Sequence, residues 1–408
     1  MTPSVFTKTL EEITPEDIAA LVSERYPEND IAEFKGRLPH KDGLKHPWYS
    51  GAAEIGDKAR NEILAEVIAF ANARGGHVLL GIKEGDEHPR HAVDVEPIPR
   101  CAELAERLKM QLRDCVEPQI PLVRVRGIPT KPDGSGVVII RVPESRSAPH
   151  RLTPTRECYF RRADSSEKMT MRDIQDLTLR INRGLDEMDA KYKKRSSEFR
   201  VRLEKKGAVG IRATVIPVTP LFLDRVYGNV QAFPSWRPFK LTIGSAHHEI
   251  PAPIGSNQRP ILRGAQYGLE NKHGSAIAHA YTDGLVEMCS MWFAQPRELI
   301  YITRVLGPVA NALLMAEHFR NAAGVPDIEY GLEVELYDSI ATSIALGPFT
   351  QHFASEGSLG SPLDSPCILP RYSFGPLVEI TPLIELVVRD LIDAAGTHAP
   401  KGPYVLSW

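Results

Sequence analysis

The sequence predicts an α+β fold in which two domains each combine strands with helices. Its 408 residues exceed the roughly 100–200 of a typical domain, so at least two domains are expected. Alternating apolar and polar residues, as in residues 31–35 and 328–336, predict strands in both halves of the chain. Apolar residues at helical spacing in residues 57–71, 101–115 and 382–395 predict helices. These patterns predict mixed sheets with flanking helices.

The composition is that of an ordinary globular protein. Hydrophobic residues make up 42% of the chain, charged residues make up 25%, and the net charge is −3 at pH 7. This charge excludes the class of nucleic-acid-binding proteins that are basic over the whole chain. Any nucleic-acid site must therefore be a local patch.

Three features predict a cytoplasmic protein with no membrane partner. The five cysteines are scattered, and neither a CxxC pair nor a His/Cys spacing indicates a zinc site. Residues 1–12 lack the basic start and apolar core of a secretion signal. The most apolar stretch, residues 298–316, contains Arg304 and Pro308 and is a poor membrane span.

The first strand carries a charged pair on one face. In residues 31–35 the alternation places Glu33 and Lys35 on one side and Ala32 and Phe34 on the other. The strand therefore has one apolar face and one charged face that can contribute to a functional site.

The next elements follow a loop of unusual length. Residues 36–56 are predicted to form either a functional cover or a mobile segment, because loops of this length are uncommon in compact domains. The helix of residues 57–71 is predicted to end at Gly75-Gly76. Residues 78–82 are all apolar or glycine, which predicts a strand covered on both faces.

The chain is predicted to divide into a first domain of residues 1–185, a basic helical linker of residues 186–206, and a second α+β domain of residues 207–408. The linker holds the most basic run, with Lys193, Lys194 and Arg195 near its centre. Two interpretations of this run stay open. It is a solvated helix, or it is an arm that contacts the phosphates of a nucleic acid.

Five short motifs occur in order in the first domain. They are Glu33-Phe34-Lys35, Ala69-Phe70-Ala71-Asn72, Gly75-Gly76, Gly81-Ile82 and Tyr159-Phe160-Arg161-Arg162 before a serine turn. Their order and spacing resemble the Schlafen AlbA domain over roughly residues 20–180, a little under half of the chain. Each motif alone is a weak signal, and the ordered set is fairly specific.

The resemblance implies a nucleic-acid-binding fold with RNA or DNA as its partner. In animal Schlafen proteins a similar core is a metal-dependent endoribonuclease, so the resemblance also implies a nuclease that prefers RNA and uses Mg²⁺ or Mn²⁺. A role in stress response or antiphage defence would fit such an enzyme.

The active-site positions of that family correspond to Glu28, Glu33 and Lys35 in this chain. The fourth position departs from the family, because Lys83 stands where many members carry an aspartate, and Glu84 follows it. Glu84 can supply the missing carboxylate, or the metal site is lost and the domain only binds. The resemblance thus implies Glu28, Glu33 and Glu84 as metal ligands and catalytic residues, with Lys35 as a further catalytic residue that contacts the phosphate.

These residue types suit that chemistry. Carboxylate oxygens bind Mg²⁺ or Mn²⁺, the ion activates water, and a lysine can neutralise the developing negative charge. Glu28 and Glu33 are an odd number of residues apart and would face opposite ways on one strand. Pro27 and Asn29-Asp30 predict a turn that can bring Glu28 to the face of Glu33. The alternative is that Glu33 and Lys35 form a solvent-facing charge pair.

Two arginines and two aromatic residues are further candidates for nucleic-acid contacts. Arg161 and Arg162 point to opposite faces of their strand, so at most one of them joins a phosphate-binding surface with Lys35. Trp48 and Tyr49 in the long loop either stack on unpaired bases or fix the loop to the core, and the second role is favoured.

Other classes of function are less well supported. GxxxxGK[ST] and GxSxG motifs are absent, which argues against an ATP-binding P-loop and against a serine hydrolase. Surface or core positions are predicted for His247, His248, His273 and His279. Two alternatives to a nuclease stay open: a non-catalytic regulator whose C-terminal domain senses a ligand or mediates homo-oligomerisation, and an oligomeric scaffold. Acidic or neutral surroundings of Lys35 would favour the scaffold.

Overall fold

The computed structural model describes residues 3–41, 44–86, 89–223, 226, 239–243, 246–250, 258–271, 274–293, 299–347, 349, 358–376, 380–398 and 404–407. The chain divides into a first unit, Met1–Asp186 with Gly324–Asp327, and a second unit, Glu187–Ala323 with Ile328–Trp408. Both units contain helices and strands, so the predicted α+β class is confirmed. Within the ranges given, no helix has the length and apolar character that a membrane crossing requires.

The first unit contains α1 (Ser4–Thr7), α2 (Pro15–Ser23), β1 (Ala32–Lys35), α3 (Asp57–Ala71), β2 (Gly75–Leu80), β3 (Ile82–Glu84), β4 (Ala92–Val95), α4 (Cys101–Cys115), β5 (Val116–Glu117), β6 (Arg124–Pro129), β7 (Gly136–Pro143), β8 (Arg151–Leu152), β9 (Glu157–Arg162) and β10 (Ser165–Lys168). Helix α5 (Met171–Lys206) begins in the first unit and ends in the second. The basic run predicted as a linker is therefore part of this long helix.

The main sheet of the first unit has the strand order β1-β2-β7-β6, and β1 forms one edge. β1 runs parallel to β2, with Glu33 opposite Val78. Ala32 and Phe34 are buried in the core on one face, whereas Val78 belongs to the core that α3 and α4 build on the other. Glu33 and Lys35 therefore lie on the face that α3 covers, as the alternation predicts.

The double glycine does not end helix α3, contrary to the prediction. The helix ends at Ala71, and the two glycines begin β2. Gly75 has a φ of +76°, and a Cβ at Gly76 would lie 2.3 Å from Phe70 Cδ1 and 2.9 Å from the carbonyl oxygen of Ile31. Glycine is needed here because the strand passes so close to α3 and to β1.

We expect Gly76→Ala to destabilise the first unit by about 1–3 kcal/mol, because the methyl group meets a ring and a backbone oxygen that cannot both move. The measurement is urea denaturation followed by the fluorescence of Trp48 in a chain whose other tryptophans are replaced by phenylalanine. Gly184→Ala is the control, since a Cβ there has open space within α5 and should stabilise by roughly 0.5–1 kcal/mol. Equal effects of the two variants would contradict the steric argument.

The second unit contains β11 (Ala208–Pro217), β12 (Phe239–Ile243), β13 (Ala246–Ile250), β14 (Gln258–Ile261), β15 (Gly264–Asn271), β16 (Gly274–Tyr281), β17 (Val286–Phe293), β18 (Leu299–Tyr301), α6 (Ile302–Ala323), β19 (Tyr330–Asp338), β20 (Ser343–Gly347), β21 (Leu363–Asp364), β22 (Cys367–Ile368), β23 (Tyr372–Phe374), α7 (Thr381–Ala394) and β24 (Tyr404–Ser407). Its large sheet has the order β14-β15-β16-β17-β11-β19-β22. Most of the apolar stretch noted at residues 298–316 forms β18 and α6, and residue 298 lies outside the described ranges.

The two faces of the large sheet differ in chemistry. Ile211 and Val215 of β11 join a continuous apolar core with α6 and α7. On the opposite face Arg212 is fully buried and donates to Glu335 Oε2 at 2.9 Å and to Glu333 Oε1 at 2.6 Å. A buried charge of this kind is tolerated only when it is paired and hydrogen-bonded, as Arg212 is.

The histidines of the second unit give no metal cluster in the described ranges. His279 is buried on the charged face, where Nδ1 lies 3.1 Å from Glu287 Oε1 and Nε2 lies 3.3 Å from Gln266 Oε1. His247 is exposed. His273 and the side chain of His248 lie outside the described residues.

Candidate functional site

The outer edge of β1 is closed by two side chains. Because β1 is an edge strand, the backbone N–H and C=O groups that point away from β2 have no strand partner. Glu28 Oε1 accepts a hydrogen bond from the backbone N–H of Phe34 at 2.9 Å. Arg161 Nη2 donates to the carbonyl oxygens of Asn29 at 3.1 Å and Ala32 at 3.3 Å. Glu28 and Arg161 therefore replace part of the missing strand.

Glu33, Lys35, Glu66 and Arg161 form an acid–base cluster between β1, α3 and β9. Lys35 Nζ lies 2.6 Å from Glu33 Oε1 and 3.6 Å from Glu66 Oε1. Arg161 Nη1 lies 2.7 Å from Glu33 Oε2, an ion pair without hydrogen-bond geometry, and 3.4 Å from Glu66 Oε2. Ser166 donates a hydrogen bond to Glu66 Oε2. Each carboxylate of the cluster thus faces both cations.

Glu66 is the member of the cluster that the sequence analysis missed. It follows Ile63 by three residues and precedes Phe70 by four, so it falls within the apolar stripe of α3. A single carboxylate inside an apolar stripe is the feature of the sequence that could have indicated a buried ion pair, because a buried carboxylate needs a partner. The Arg161 guanidinium stacks on the Phe70 ring at 4.9 Å and supplies that partner.

Burial and mutual repulsion shift the ionisation of these groups. Burial raises the pKa of the Glu28 carboxyl to about 7, and the charges of Glu33 and Glu84 act in the same direction. Burial also raises the pKa of Glu66, again with help from Glu33. Burial alone would lower the pKa of Lys35, but the charges of Glu33 and Glu66 outweigh it, so the pKa is raised and Lys35 stays charged.

Glu84 does not join Glu28 and Glu33 as a third metal ligand. It ends β3, and its Oε2 lies 3.0 Å from Arg90 Nη1. Across the described parts of the chain, no three His, Cys, Asp or Glu side chains are grouped so that they could hold a metal ion. Glu28 is bound by a backbone N–H and Glu33 by two cations. The residues predicted for Mg²⁺ or Mn²⁺ therefore do not fit a metal centre in this arrangement.

The surroundings of Lys35 are not basic. Four carboxylates, Glu28, Glu33, Glu66 and Glu84, face three cations, Lys35, Arg90 and Arg161. One negative charge is in excess when all are ionised, and the set is neutral when Glu28 holds a proton. Lys35 therefore has no free positive charge to offer a phosphate, which is the outcome that the scaffold alternative predicts for this residue.

Residues 28–170 match the family model described as Schlafen, AlbA_2. The predicted resemblance is confirmed for this Schlafen-like region, which begins at Glu28 and ends just before α5, whereas the C-terminal half has no family match. No curated protein and no solved structure matches the chain. The Schlafen, AlbA_2 family is associated with nucleic-acid interaction.

The two adjacent arginines of β9, Arg161 and Arg162, have opposite environments, as the sequence predicts. The Arg161 side chain is 1% exposed, so a phosphate cannot reach it, and its predicted role as a nucleic-acid contact does not fit. Arg162 is 56% exposed and lies 3.4 Å from Glu167 and 3.1 Å from Asp173. Arg162 is therefore accessible but already paired.

The aromatic residues of the long loop fix it to the Schlafen-like core. Trp48 is buried, its Nε1 donates to the carbonyl oxygen of Pro99 at 2.7 Å, and the Arg100 guanidinium lies 4.0 Å from its ring. Tyr49 accepts a hydrogen bond from the N–H of Leu38 at 3.2 Å. These contacts agree with the favoured interpretation and leave Trp48 unable to stack on a base.

The basic run lies outside the Schlafen-like region, in the second half of α5. Lys193 and Lys194 are exposed. Arg195 donates to the Tyr281 hydroxyl at 2.8 Å, and its guanidinium lies 4.7 Å from the same ring. Arg195 is thus part of the second unit's packing, which does not suit a phosphate-contacting arm.

Proposed function

We propose that the first unit binds nucleic acid, with RNA preferred over DNA, through exposed lysines of the loop after β1. Lys41 and Lys45 are exposed, and among the described residues neither has an acidic partner. Lys45 Nζ lies 5.5 Å from the centre of the Tyr49 ring, and Tyr49 is held by the core. Both lysines lie within residues 28–170, which match a nucleic-acid-binding family, and this position carries the proposal.

The charge of the acid–base cluster argues against direct phosphate binding by Lys35. Nucleic-acid affinity comes largely from cations that replace condensed counterions, and each phosphate contact needs a cation that is free to make it. Lys35 is held by two carboxylates, and its neighbourhood is acidic or neutral. In this proposal the cluster supports the edge of β1, and the adjacent loop carries the contact. The preference for RNA rests on the resemblance to animal Schlafen endoribonucleases.

Binding of fluorescein-labelled tRNA and of labelled single-stranded DNA, followed by anisotropy at about 50 and 200 mM salt, tests the proposal. We expect Lys41→Gln/Lys45→Gln to weaken binding roughly tenfold at the lower salt and to reduce the slope of log K against log salt by about 1–2. The matched variant Lys193→Gln/Lys194→Gln removes the same charge from α5. If that variant alone weakens binding, the contact lies on α5 and the loop proposal fails.

A second candidate is metal-dependent cleavage of RNA. It is favoured by the mutual repulsion of Glu28, Glu33 and Glu84, which a divalent cation would relieve. These carboxylates would have to exchange their present partners, Arg90, Lys35 and Arg161, for the ion. A role in stress response or antiphage defence would depend on this candidate.

Incubation of the chain with labelled tRNA and Mn²⁺ separates the two candidates. Cleavage that Glu33→Gln abolishes would support the nuclease. Intact tRNA in samples where anisotropy shows saturated binding would support a non-catalytic binding protein. Glu167→Gln is the control, because Glu167 is an exposed carboxylate of the same unit that lies on β10.

A further inference from the structure

A small pocket lies in the first unit between the C-terminal half of α4 and the segment that leads into β6. Its volume is about 150 Å³. An apolar cavity of roughly 150 Å³ in another protein holds one benzene molecule, so this pocket has room for one six-membered ring. A purine has two fused rings and needs more space.

Residue spacing builds both walls of the pocket. On α4, Lys109, Leu112 and Arg113 are three and four residues apart and therefore share one face of the helix. Leu112 is buried on that face, whereas the two cations are exposed. On the other wall, Val123 and Val125 are two residues apart where the chain enters β6, so they point to the same side.

The interior of the pocket is apolar. Leu112 and Val125 belong to the core that α3 and α4 share. Ile120 and Val123 line the pocket as well, and both pack against that core while remaining partly exposed. A ring that enters the pocket would therefore meet aliphatic side chains from both walls.

The two cations of the pocket already have partners. Lys109 Nζ lies 2.7 Å from Glu106 Oε1, and Arg113 Nε lies 3.0 Å from Asp114 Oδ1. Among the described residues, no carboxylate, imidazole or thiol lines the pocket. This balance of charge argues for a neutral occupant rather than for an anion or a metal ion.

Gln119 offers one directional contact in this apolar lining. Its Nε2 donates a hydrogen bond to the carbonyl oxygen of Arg113 at 3.3 Å. Because a carbonyl oxygen can only accept, this contact fixes which end of the amide is the NH₂ group. Within the described part of the chain Oε1 has no donor, so it can accept a hydrogen bond from a ligand.

We propose that this pocket binds an unpaired pyrimidine base of RNA, whose ring fills the apolar interior and whose N–H donates to Gln119 Oε1. This inference rests on the proposed function, because the bound nucleic acid supplies the base. Uracil and cytosine both carry an N–H donor on the Watson–Crick edge, and proteins that bind RNA commonly contact unpaired bases at that edge.

Helix α4 connects the pocket with the loop that carries Lys45. Pro99 and Arg100, which contact Trp48 of that loop, immediately precede the helix. Lys109 and Arg113 follow the first residue of α4 by 8 and 12 positions, which is about 12–18 Å along the helix axis. At 3.4 Å per stacked nucleotide, roughly four or five nucleotides span this length. A short single strand can therefore contact both places.

Saturation-transfer NMR of the full chain with free uridine, cytidine or adenosine tests the pocket without any phosphate. We expect the ring protons of the two pyrimidine nucleosides to receive roughly fivefold more saturation than those of adenosine. Val123→Phe places a ring in the pocket and should remove most of the transfer. Leu122→Phe introduces the same residue at the next position, which does not line the pocket, and should leave the transfer unchanged. Equal transfer to adenosine, or equal effects of the two variants, would overturn the proposal.

The hydrogen bond has its own matched pair, which decides the matter if circular dichroism shows that Val123→Phe does not fold. Gln119→Ala should weaken binding of both pyrimidine nucleosides roughly fivefold, the usual worth of one hydrogen bond. Gln175→Ala, which truncates an exposed glutamine of α5, should not weaken it. Unchanged pyrimidine binding in Gln119→Ala would contradict the assignment of the pocket.

Anisotropy of fluorescein-labelled hexauridylate and hexaadenylate separates this inference from the proposed function. Lys41→Gln/Lys45→Gln should weaken both oligonucleotides equally, whereas Val123→Phe should weaken hexauridylate alone. Oligonucleotide binding without saturation transfer to uridine would refute the pocket and leave the lysine contact in place. Transfer to uridine without oligonucleotide binding would support the pocket and refute the lysine contact.

Discussion

Arg161→Met is expected to destabilise the first unit by about 3–5 kcal/mol, the usual cost of removing one partner from a buried ion pair. The substitution leaves Glu33 and Glu66 with Lys35 as their one cation, and it removes the Arg161 hydrogen bonds to the Ala32 and Asn29 carbonyl oxygens. Methionine has a similar volume, so the loss reports charge and hydrogen bonds more than packing. Hydrogen exchange of peptides from β1 and β2, read by mass spectrometry, measures the effect in the first unit alone.

Arg162→Met is the matched control. It removes the same group one residue away, but that side chain is 56% exposed and its ion pairs are at the surface, so a change of less than about 1 kcal/mol is expected. Adding Glu66→Gln to Arg161→Met should recover part of the loss, because one of the two stranded carboxylates is then neutral. Similar losses in the two single variants would mean that Arg161 does not hold the cluster together.

The local part of the site could be predicted from the sequence. The alternation of residues 31–35 depends only on the two-residue period of a strand, and it sorted Glu33 and Lys35 onto one face correctly. A turn is found at Asn29, whose side chain accepts a hydrogen bond from the N–H of Ile31, and the Glu28 carboxylate reaches the N–H of Phe34 at the strand edge. Both predictions concern groups a few residues apart, where backbone geometry decides the outcome.

The long-range part of the site could not be predicted. Glu66 and Arg161 meet Glu33 only because α3 and β9 both pack beside β1. The sequence also could not decide which of Arg161 and Arg162 lies inside, because alternation gives opposite faces but not which face is covered. Among the three carboxylates expected to bind a metal, Glu33 gains the long-range partner Arg161 through this packing.

The second unit shows the same limit on a larger scale. The alternation of residues 328–336 predicted a strand, and β19 is found there with a small shift. Glu333 and Glu335 look like solvent-facing residues in such a pattern, yet both are buried with Arg212 on the face opposite α6. One strand does not reveal that both faces of its sheet are covered. Charged residues at alternate positions are equally typical of a strand whose second face is exposed to solvent.

The difference in stability between the wild type and Glu28→Gln is expected to change as the pH rises from about 4.5 toward 7, with the wild type losing stability relative to the variant. Burial raises the pKa of Glu28 from 4.5 to about 7, so between these values the folded chain holds a proton that the unfolded chain has released. The contribution of Glu28 to stability therefore decreases with rising pH across this window, by roughly 2–4 kcal/mol at completion. Glutamine resembles the protonated carboxyl and can still accept the hydrogen bond from Phe34.

Urea denaturation between about pH 4.5 and 8.5, followed by Trp48 fluorescence, measures this difference. The two proteins should be equally stable at the acidic end, and Glu28→Gln should be the more stable above neutrality. Both proteins share the slopes of the other groups: burial raises the pKa of Glu66, which lowers stability as the pH rises, whereas burial lowers the pKa of His77 to about 3, which has the opposite effect. Glu62→Gln, an exposed carboxylate of α3, should follow the wild type. If Glu28→Gln also follows the wild type, Glu28 is ionised throughout, and the repulsion that favours a metal at this site is absent.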